Sequence, residues 1–413
     1  RWWERDGVPF FMCGPGDPED FLHRGTLAPD STRSGDQDAI IAKLGSTDAN
    51  CIWMTAIRSH GGDGDATQNP FLNHDPAQGL NPAVLDQWAG WIAALDAAGI
   101  VTFLTFYDDS ARPWDTGDVV GEPERELFEA LVERFEQVDL IVWNVAEEYD
   151  ERYTTARISA LATIIDAADG ENHPISCHQR GGSAFDFADD PHLDSHALHM
   201  GDVVHTTSTL HEMTLDAWAF AAGRYHLNMS ENRGQFDLGR DESRRLCWAA
   251  AMAGACVMVH RMDVAATPVE ALDDCGRLRG FFESTQFHRM EPRDELARGE
   301  TDFVFGDAAA GWIVYGESVA ATLGLAVPAG GAGIFDLRWM DTENGTAVVE
   351  AGVSLAEGEH FWPKPTGLGA EVVLSVEPSG GPTSVLPSLE TSSWGRVKDR
   401  YRTRSSTGGG EPR

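Results

Sequence analysis

Eight short apolar segments alternate with helix-like segments along the first two thirds of the chain, which has 413 residues. Each apolar segment has the length of a buried strand, and the repeat averages about 32 residues, a spacing typical of barrels. This alternation predicts a parallel sheet with crossover helices, and eight repeats predict a closed (β/α)8 or TIM barrel. The predicted strands are 8–13, 50–57, 100–107, 140–146, 174–178, 196–200, 225–230 and 256–262.

Apolar residues at helical spacing predict the crossover helices. In the segment 82–98, Leu85, Trp88 and Ile92 recur at intervals of three and four residues. Asn81 fits an N-cap, and proline suits the first helical position that follows it. The other predicted helices are 122–135, 154–168, 215–222, 241–253 and 269–282.

The composition changes near residue 295. From 301 to 377, short β-type runs are separated by Gly, Pro and Asn turns, which predicts a small antiparallel β-sandwich. We therefore predict a barrel at 1–295, a sandwich at 296–378 and a tail at 379–413. The tail is rich in Ser, Gly, Pro and Arg, a composition typical of extended or disordered chain.

The net charge of −35 excludes several partners, because such a surface repels nucleic acid and anionic membranes. No run of about 18 apolar residues occurs, so we expect no membrane insertion. Only three of the 31 basic residues are lysines. An acidic, lysine-poor chain is typical of halophilic proteins, although a GC-rich genome would also replace lysine with arginine.

The cysteines and the first residue bear on the compartment. Cys13, Cys51, Cys177 and Cys256 fall on predicted strands, which favours buried free thiols, and no spacing predicts a zinc site. The chain starts at Arg1 rather than methionine, so we expect a trimmed chain in which any secretion signal has been lost.

Two glutamates stand at the ends of predicted strands far apart in sequence. Glu148 closes the motif Trp-Asn-Val-Ala-Glu-Glu at 143–148, and Glu231 follows the seventh strand. The carboxyl ends of barrel strands converge on one open face, so these side chains are expected to meet. Two carboxyl groups on opposite sides of a sugar ring are what cleavage of a glycosidic bond requires.

Several short motifs occur in an order that resembles a known group. They are Asp-Gly-Val-Pro-Phe-Phe at 6–11, the motif at 143–148, Ser-Glu-Asn at 230–232, Phe-Trp-Pro at 361–363 and Glu-Val-Val-Leu-Ser-Val at 371–376. Together, over residues 1 to about 378, they resemble clan A retaining glycoside hydrolases. Within that clan they resemble apiosidase-like bacterial barrels that carry a C-terminal β-sandwich of the collagen-binding type.

The resemblance implies a role for each glutamate. The clan has its acid/base glutamate at the end of strand 4, usually after asparagine, and its nucleophile at the end of strand 7. Glu148 matches the acid/base position, but Glu147 replaces the asparagine, so the choice between these two stays open. Glu231 matches the nucleophile. The resemblance also implies a polysaccharide or glycan side chain as substrate, an extracellular or cell-surface location, and no cofactor or metal.

Further residues near the predicted strand ends could line a substrate-binding ring. A sugar ring stacks on an aromatic face, for which Trp114 in a polar loop is the best candidate. For most of these residues an ion pair or a buried core histidine is an equally good interpretation, and for Trp143 burial at the strand end is the better one. The candidates are Arg58, His60, Tyr107, Asp108, Trp114, Trp143, Asn144, Tyr149, His178, His199, Asn232, Arg233, His260 and Arg261.

Two other functions remain open. His196, His199 and His205 cluster around strand 6 and would suit a metal-dependent hydrolase, but such barrels need ligands from several strands. A catalytically silent, glycan-binding barrel is the second alternative. No P-loop, dinucleotide fingerprint or Gly-x-Ser-x-Gly elbow occurs, which argues against nucleotide chemistry and serine hydrolysis.

The charge generates a first prediction. A surface at −35 repels itself at low ionic strength and is screened within about 10 Å at 0.1 M salt, so the melting temperature should rise as KCl is added. Thermal melts from low to molar KCl measure this. A melting temperature that stayed flat or fell would favour genome composition as the cause of the missing lysines.

Overall fold

The computed structural model describes residues 2–5, 7–16, 21–201, 205–231, 239–258 and 263–380. The chain enters through two small antiparallel ribbons, β1 (Trp3–Arg5) with β2 (Val8–Phe10) and β3 (Thr26–Leu27) with β4 (Arg33–Ser34). Seven parallel strands then follow one another in chain order around one sheet. They are β5 Cys51–Ile57, β6 Val101–Tyr107, β7 Ile141–Ala146, β8 Ile175–Arg180, β9 Ser195–His199, β10 His226–Glu231 and β11 Cys256–Val257.

The eighth wall of the barrel is an extended segment next to Cys13. Cys13 bridges Val257 on β11, and Gly16 bridges Trp53 on β5, both in parallel, which closes the (β/α)8 barrel. The predicted first strand, 8–13, is therefore corrected, because its first three residues form the ribbon strand β2. Glycine lets this segment approach β5 closely, because a Cβ at Gly14 would lie 2.3 Å from the Cys51 carbonyl oxygen. Proline at position 15 has no N–H to donate to a regular ladder.

Seven helices pack around the sheet in the described part of the chain. In the second, Asn81 caps the N-terminus as predicted, since its Oδ1 accepts from Ala83 N–H at 3.1 Å. The fifth begins earlier than predicted, because Thr206 caps it ahead of two polar turns that hide the helical pattern. The helices are α1 Gln37–Gly45, α2 Pro82–Ala97, α3 Glu122–Phe135, α4 Thr155–Ala168, α5 Thr207–Ala221, α6 Arg240–Met252 and α7 Val269–Glu283.

None of these helices is long and apolar enough to cross a membrane. Between β8 and β9 the chain forms only turns over 181–194, so this crossover has no helix. All six cysteines are buried thiols outside any disulfide, in agreement with the sequence-based expectation for the four on predicted strands.

The C-terminal part is a β-sandwich of two antiparallel sheets, as the sequence predicted. The larger sheet has the order β12-β14-β15-β20-β17-β18, and the smaller has the order β13-β16-β19. The first sandwich strand starts at Glu291, a few residues before the predicted boundary. The strands are β12 Glu291–Pro292, β13 Ala297–Gly299, β14 Phe303–Asp307, β15 Gly311–Gly316, β16 Thr322–Val327, β17 Gly333–Asp341, β18 Ala347–Leu355, β19 Gly358–Pro363 and β20 Val372–Pro378.

Both faces of the larger sheet are apolar. Along β15, Trp312 and Val314 join the core of the sandwich, whereas Ile313 and Tyr315 join the core of the barrel. Successive side chains of a strand point to opposite faces, so one strand serves two cores. Tyr315 stacks on Trp248 of α6, with ring centroids 5.4 Å apart and planes 8° from parallel.

A buried ion pair joins the two parts. Arg244 on α6 places Nη2 2.8 Å from Glu371 Oε2, and the two side chains are 3% and 4% exposed. Arg245 lies 3.1 Å from the same oxygen, and the Thr342 hydroxyl donates to the other carboxylate oxygen at 2.7 Å. The carboxylate is therefore surrounded by donors, as a buried charge requires.

This contact generates a second prediction. Glu371→Ala should lower the free energy of unfolding by about 3 to 5 kcal/mol, because it removes the buried acceptor of Arg244 Nε and Nη2. Asp241 and Asp274 remain at Nη1 only. The matched control is Glu359→Ala in the same sandwich, whose pair with Arg298 is largely exposed and should be worth about 1 kcal/mol or less. Denaturant unfolding measures both variants. Equal, small losses would show that the buried pair does not hold the sandwich to the barrel.

Candidate active site

The site lies where the barrel strands end. Glu147 and Glu148 follow β7, His178 lies near the end of β8, His199 ends β9 and Glu231 ends β10. Glu231 pairs with His199 across the two strands, after a register shift that follows Met229. Parallel pairing therefore gathers residues from four successive strands at one rim.

His199 stands between the two predicted catalytic carboxylates. Its Nδ1 lies 2.5 Å from Glu148 Oε1 and 3.7 Å from Glu231 Oε2. The side chains of Glu148 and Glu231 are 13% and 18% exposed, so both are largely buried yet open to solvent. His199 itself is buried, and its ring stacks on His178 at 5.5 Å.

Glu148 has an unusual backbone conformation. Its φ of 36° and ψ of 50° lie in the left-handed region, which residues other than glycine rarely adopt. Its N–H donates to His178 Nδ1 at 3.1 Å. His178 is fully buried, and its Nε2 lies 3.8 Å from Glu231 Oε2. Burial, with His199 and His196 nearby, lowers the pKa of His178 well below its usual value, so the ring is neutral.

Glu147 belongs to a different pair. Burial raises the pKa of Glu147 well above its usual value, and the charges of Asp108 and Glu231 raise it further. Burial raises the pKa of Asp108 to about 6, although Arg58, 3.3 Å away, opposes the shift. Of the two carboxyl groups, Glu147 is therefore the one that the environment favours in its protonated form, beside the Asp108 carboxylate.

A second group of acids borders Glu148. Asp109, Glu148 and Glu151 place carboxylate oxygens within 4.8 Å of one another. Burial, then the charge of Asp108, raises the pKa of Asp109 to about 7. Arg180 offsets the group, because its guanidinium lies 3.7 Å from Glu148 and contacts Glu151. Sequence reasoning missed Asp109 and Glu151, although the Asp-Asp doublet at the end of β6 was a signal.

Within the described part of the chain, two triads have the spacing of metal ligands. Besides the acid group, His178, His199 and Glu231 place ligand atoms within 4.8 Å of one another. Both triads consist of residues of the carboxylate site itself. The three histidines predicted for a metal-dependent hydrolase do not converge: His196 stacks on Phe185 at 4.6 Å, and the His205 ring contacts the Met200 carbonyl at 2.6 Å.

Three predicted sugar contacts are packed into the protein instead. The Tyr107 hydroxyl donates to Glu124 at 3.0 Å, and the Trp143 ring nitrogen donates to Asp169 at 3.1 Å. Both side chains are fully buried, and Tyr149, 2% exposed, bonds Asp186 through its hydroxyl. The burial of Trp143 agrees with the preferred interpretation of that residue. The assignment of Tyr107 and Tyr149 to the substrate ring is corrected, because their hydroxyl groups are already paired away from the rim.

Asn144 and Trp53 lie inside the barrel below the rim. Asn144 Nδ2 donates to Thr105 Oγ1 at 3.0 Å, and Trp53 Nε1 donates to the same oxygen at 2.7 Å. The Trp53 ring lies 5.3 Å from that of His178. Asn144 therefore supports the rim from within, and the structure does not place it at the surface of the site.

The loops after β5 and β6 border the site together. Asp63 N–H donates to Asp108 at 3.0 Å, which ties the first loop to the second. The rings of the exposed His60 and the half-buried Trp114 both pack edge-on against Phe71, with ring centroids 5.9 and 5.6 Å from its own. The predicted residues Asn232, Arg233, His260 and Arg261 lie outside the described residues.

Comparison with known proteins places this geometry in a family. The family model described as the apiosidase-like catalytic domain matches residues 48–259, just over half of the chain. A solved glycoside hydrolase is similar in structure with a TM-score of 0.64 and 16% identity, over 91% of this chain and 94% of that one. A family 5 glycoside hydrolase of Bacteroides vulgatus has a TM-score of 0.66 and 15% identity, over 92% and 91%.

No curated protein matches the chain. At these identities the solved structures show the fold, which is the glycoside hydrolase barrel followed by a sandwich. The match over the barrel, from β5 to β11, goes further, and it shows that this chain belongs to the family of apiosidase-like catalytic domains.

Proposed function

We propose that this protein is a retaining glycoside hydrolase that cleaves a polysaccharide or a glycan side chain. The observation that carries the proposal is the position of His199, 2.5 Å from one oxygen of Glu148 and 3.7 Å from one of Glu231. These two oxygens can be no farther apart than the sum of those distances. Retaining enzymes use carboxyl groups about 5 to 5.5 Å apart, and inverting enzymes about 6.5 to 9.5 Å.

Glu231 is the proposed nucleophile and Glu148 the proposed acid/base. In the first step Glu231 attacks the anomeric carbon while Glu148 gives its proton to the leaving oxygen. In the second step Glu148 takes a proton from water, whose oxygen displaces Glu231 from the sugar. The proton that Glu148 loses in the first step is thus restored in the second.

The pairing of Glu147 favours Glu148 within the doublet. A raised pKa suits a general acid, but the acid must also reach the leaving oxygen, and the carboxyl group of Glu147 is engaged by Asp108. Glu148 instead faces His199. We assign Glu147 a supporting role, in which its protonated carboxyl group stabilises Asp108 at the rim.

Matched variants separate these roles and give a third prediction. Glu231→Gln should abolish the glycosyl-enzyme on every substrate. Glu148→Gln should lower kcat on a natural glycan by about 10²- to 10⁴-fold but spare activated aryl glycosides, and azide should restore turnover. Glu147→Gln should stay close to wild type, because glutamine has the shape of a protonated glutamate. The measurement is kcat on both substrates, with and without azide.

Other outcomes of the same experiment decide against parts of the proposal. If Glu147→Gln gave the azide-rescued pattern and Glu148→Gln resembled wild type, the acid/base would be Glu147. Full activity in all three variants would end the assignment of these glutamates to the reaction.

The raised pKa of Asp109, about 7, generates a fourth prediction. Its proton is bound more tightly in the folded chain, so this residue lowers the free energy of unfolding as the pH rises from about 4 towards 7. Asp109→Asn removes the effect. The difference in melting temperature, variant minus wild type, should therefore increase from pH 5 to pH 8. Asp115→Asn, at a side chain 87% exposed, is the control. Parallel curves for wild type and Asp109→Asn would contradict the prediction.

A further inference from the structure

We propose that His178 is a positioning residue that sets the direction of the acid/base carboxylate. Its Nδ1 accepts from the Glu148 N–H and holds Glu148 in a left-handed conformation, which leaves Nε2–H facing Glu231. The proposal rests on the function proposed above, because it assigns a further residue to that reaction.

The backbone of Glu148 needs such a partner. At φ 36° and ψ 50° the Cβ of an L-residue crowds its own backbone, so this conformation persists only where neighbouring contacts impose it. Glu148 leads directly into the turn Tyr149–Glu151, in which Glu151 N–H donates to the Glu148 carbonyl at 2.9 Å. The Glu148 N–H itself is bound by His178, at 3.1 Å.

The same hydrogen bond fixes the tautomer of His178. A nitrogen that accepts a hydrogen bond carries a lone pair, so the proton of the neutral ring is on Nε2. Among the described residues no acceptor bonds Nε2, and Glu231 Oε2 lies 3.8 Å away. One ring therefore contacts the backbone of the acid/base and directs a donor towards the nucleophile.

Packing holds the ring in place for both contacts. His178 is fully buried, with Trp53 at 5.3 Å and the parallel ring of His199 at 5.5 Å, 10° between planes. The low pKa of the buried ring keeps it neutral, so Nδ1 stays an acceptor over the working pH range. A rotated ring would leave the Glu148 N–H without this acceptor.

Two amide substitutions test the two ring nitrogens of His178 separately. His178→Asn places an amide oxygen near the position of Nδ1, so it can still accept from the Glu148 N–H. His178→Gln carries its amide near the position of Nε2 and lacks the nearer acceptor. The control is His196→Gln, which changes another fully buried histidine, on the neighbouring strand β9 and stacked on Phe185.

The readout is kcat on a glycan and on an activated aryl glycoside, with and without azide. A misplaced acid should matter only where the leaving group needs a proton, so His178→Gln should lose about 10²-fold on the glycan and less than about tenfold on the aryl glycoside. Azide should accelerate this variant. His178→Asn should recover most of the loss, and His196→Gln should show no dependence on the leaving group.

Equal losses on both substrates for His178→Asn and His178→Gln would overturn the proposal and make His178 a packing residue. Crystal structures of wild type and His178→Gln give a test that does not depend on activity. Glu148 should leave the left-handed region in the variant, and an unchanged φ would overturn the proposal. Wild type without glycosidase activity would refute the proposed function alone, and this structural test would still decide the role of His178.

Discussion

The parallel direction of the barrel strands is the constraint on which the site depends. Because β5 to β11 all run the same way, their carboxyl ends meet at one rim, and side chains distant in sequence become neighbours. Glu148 and Glu231, three strands apart, meet on opposite sides of His199. A shift of β9 against β10 by one residue would turn His199 away from that rim. The geometry of the site therefore depends on the register of these two strands.

Burial makes the polar groups of the rim depend on one another. Asp108 is 4% exposed at its side chain and is neutralised from one side by Arg58 and from the other by the proton of Glu147. Below them, Thr105 accepts from both Trp53 and Asn144. In a medium of low polarity each such bond is strong and each missing partner is costly, so these contacts set the side-chain directions of the rim.

The sandwich packs on the barrel through a shared apolar core. A sheet with two apolar faces needs cover on both, and β14, β15 and β20 each contribute residues to the barrel core as well as to the sandwich core. The buried contact of Arg244 with Glu371 fixes how the two parts meet. The sandwich thus buttresses α6, the helix that precedes the last barrel strand.

Periodicity and spacing in the sequence determined the barrel, the sandwich and the placement of the two glutamates at strand ends, because these depend on patterns local to each segment. Only the tertiary structure decided where side chains point. Trp143 turns outward and Asn144 inward, Glu147 pairs with Asp108, and His178 reaches the backbone of Glu148. Each of these contacts joins different strands or loops, so it depends on register and burial, which no single segment encodes.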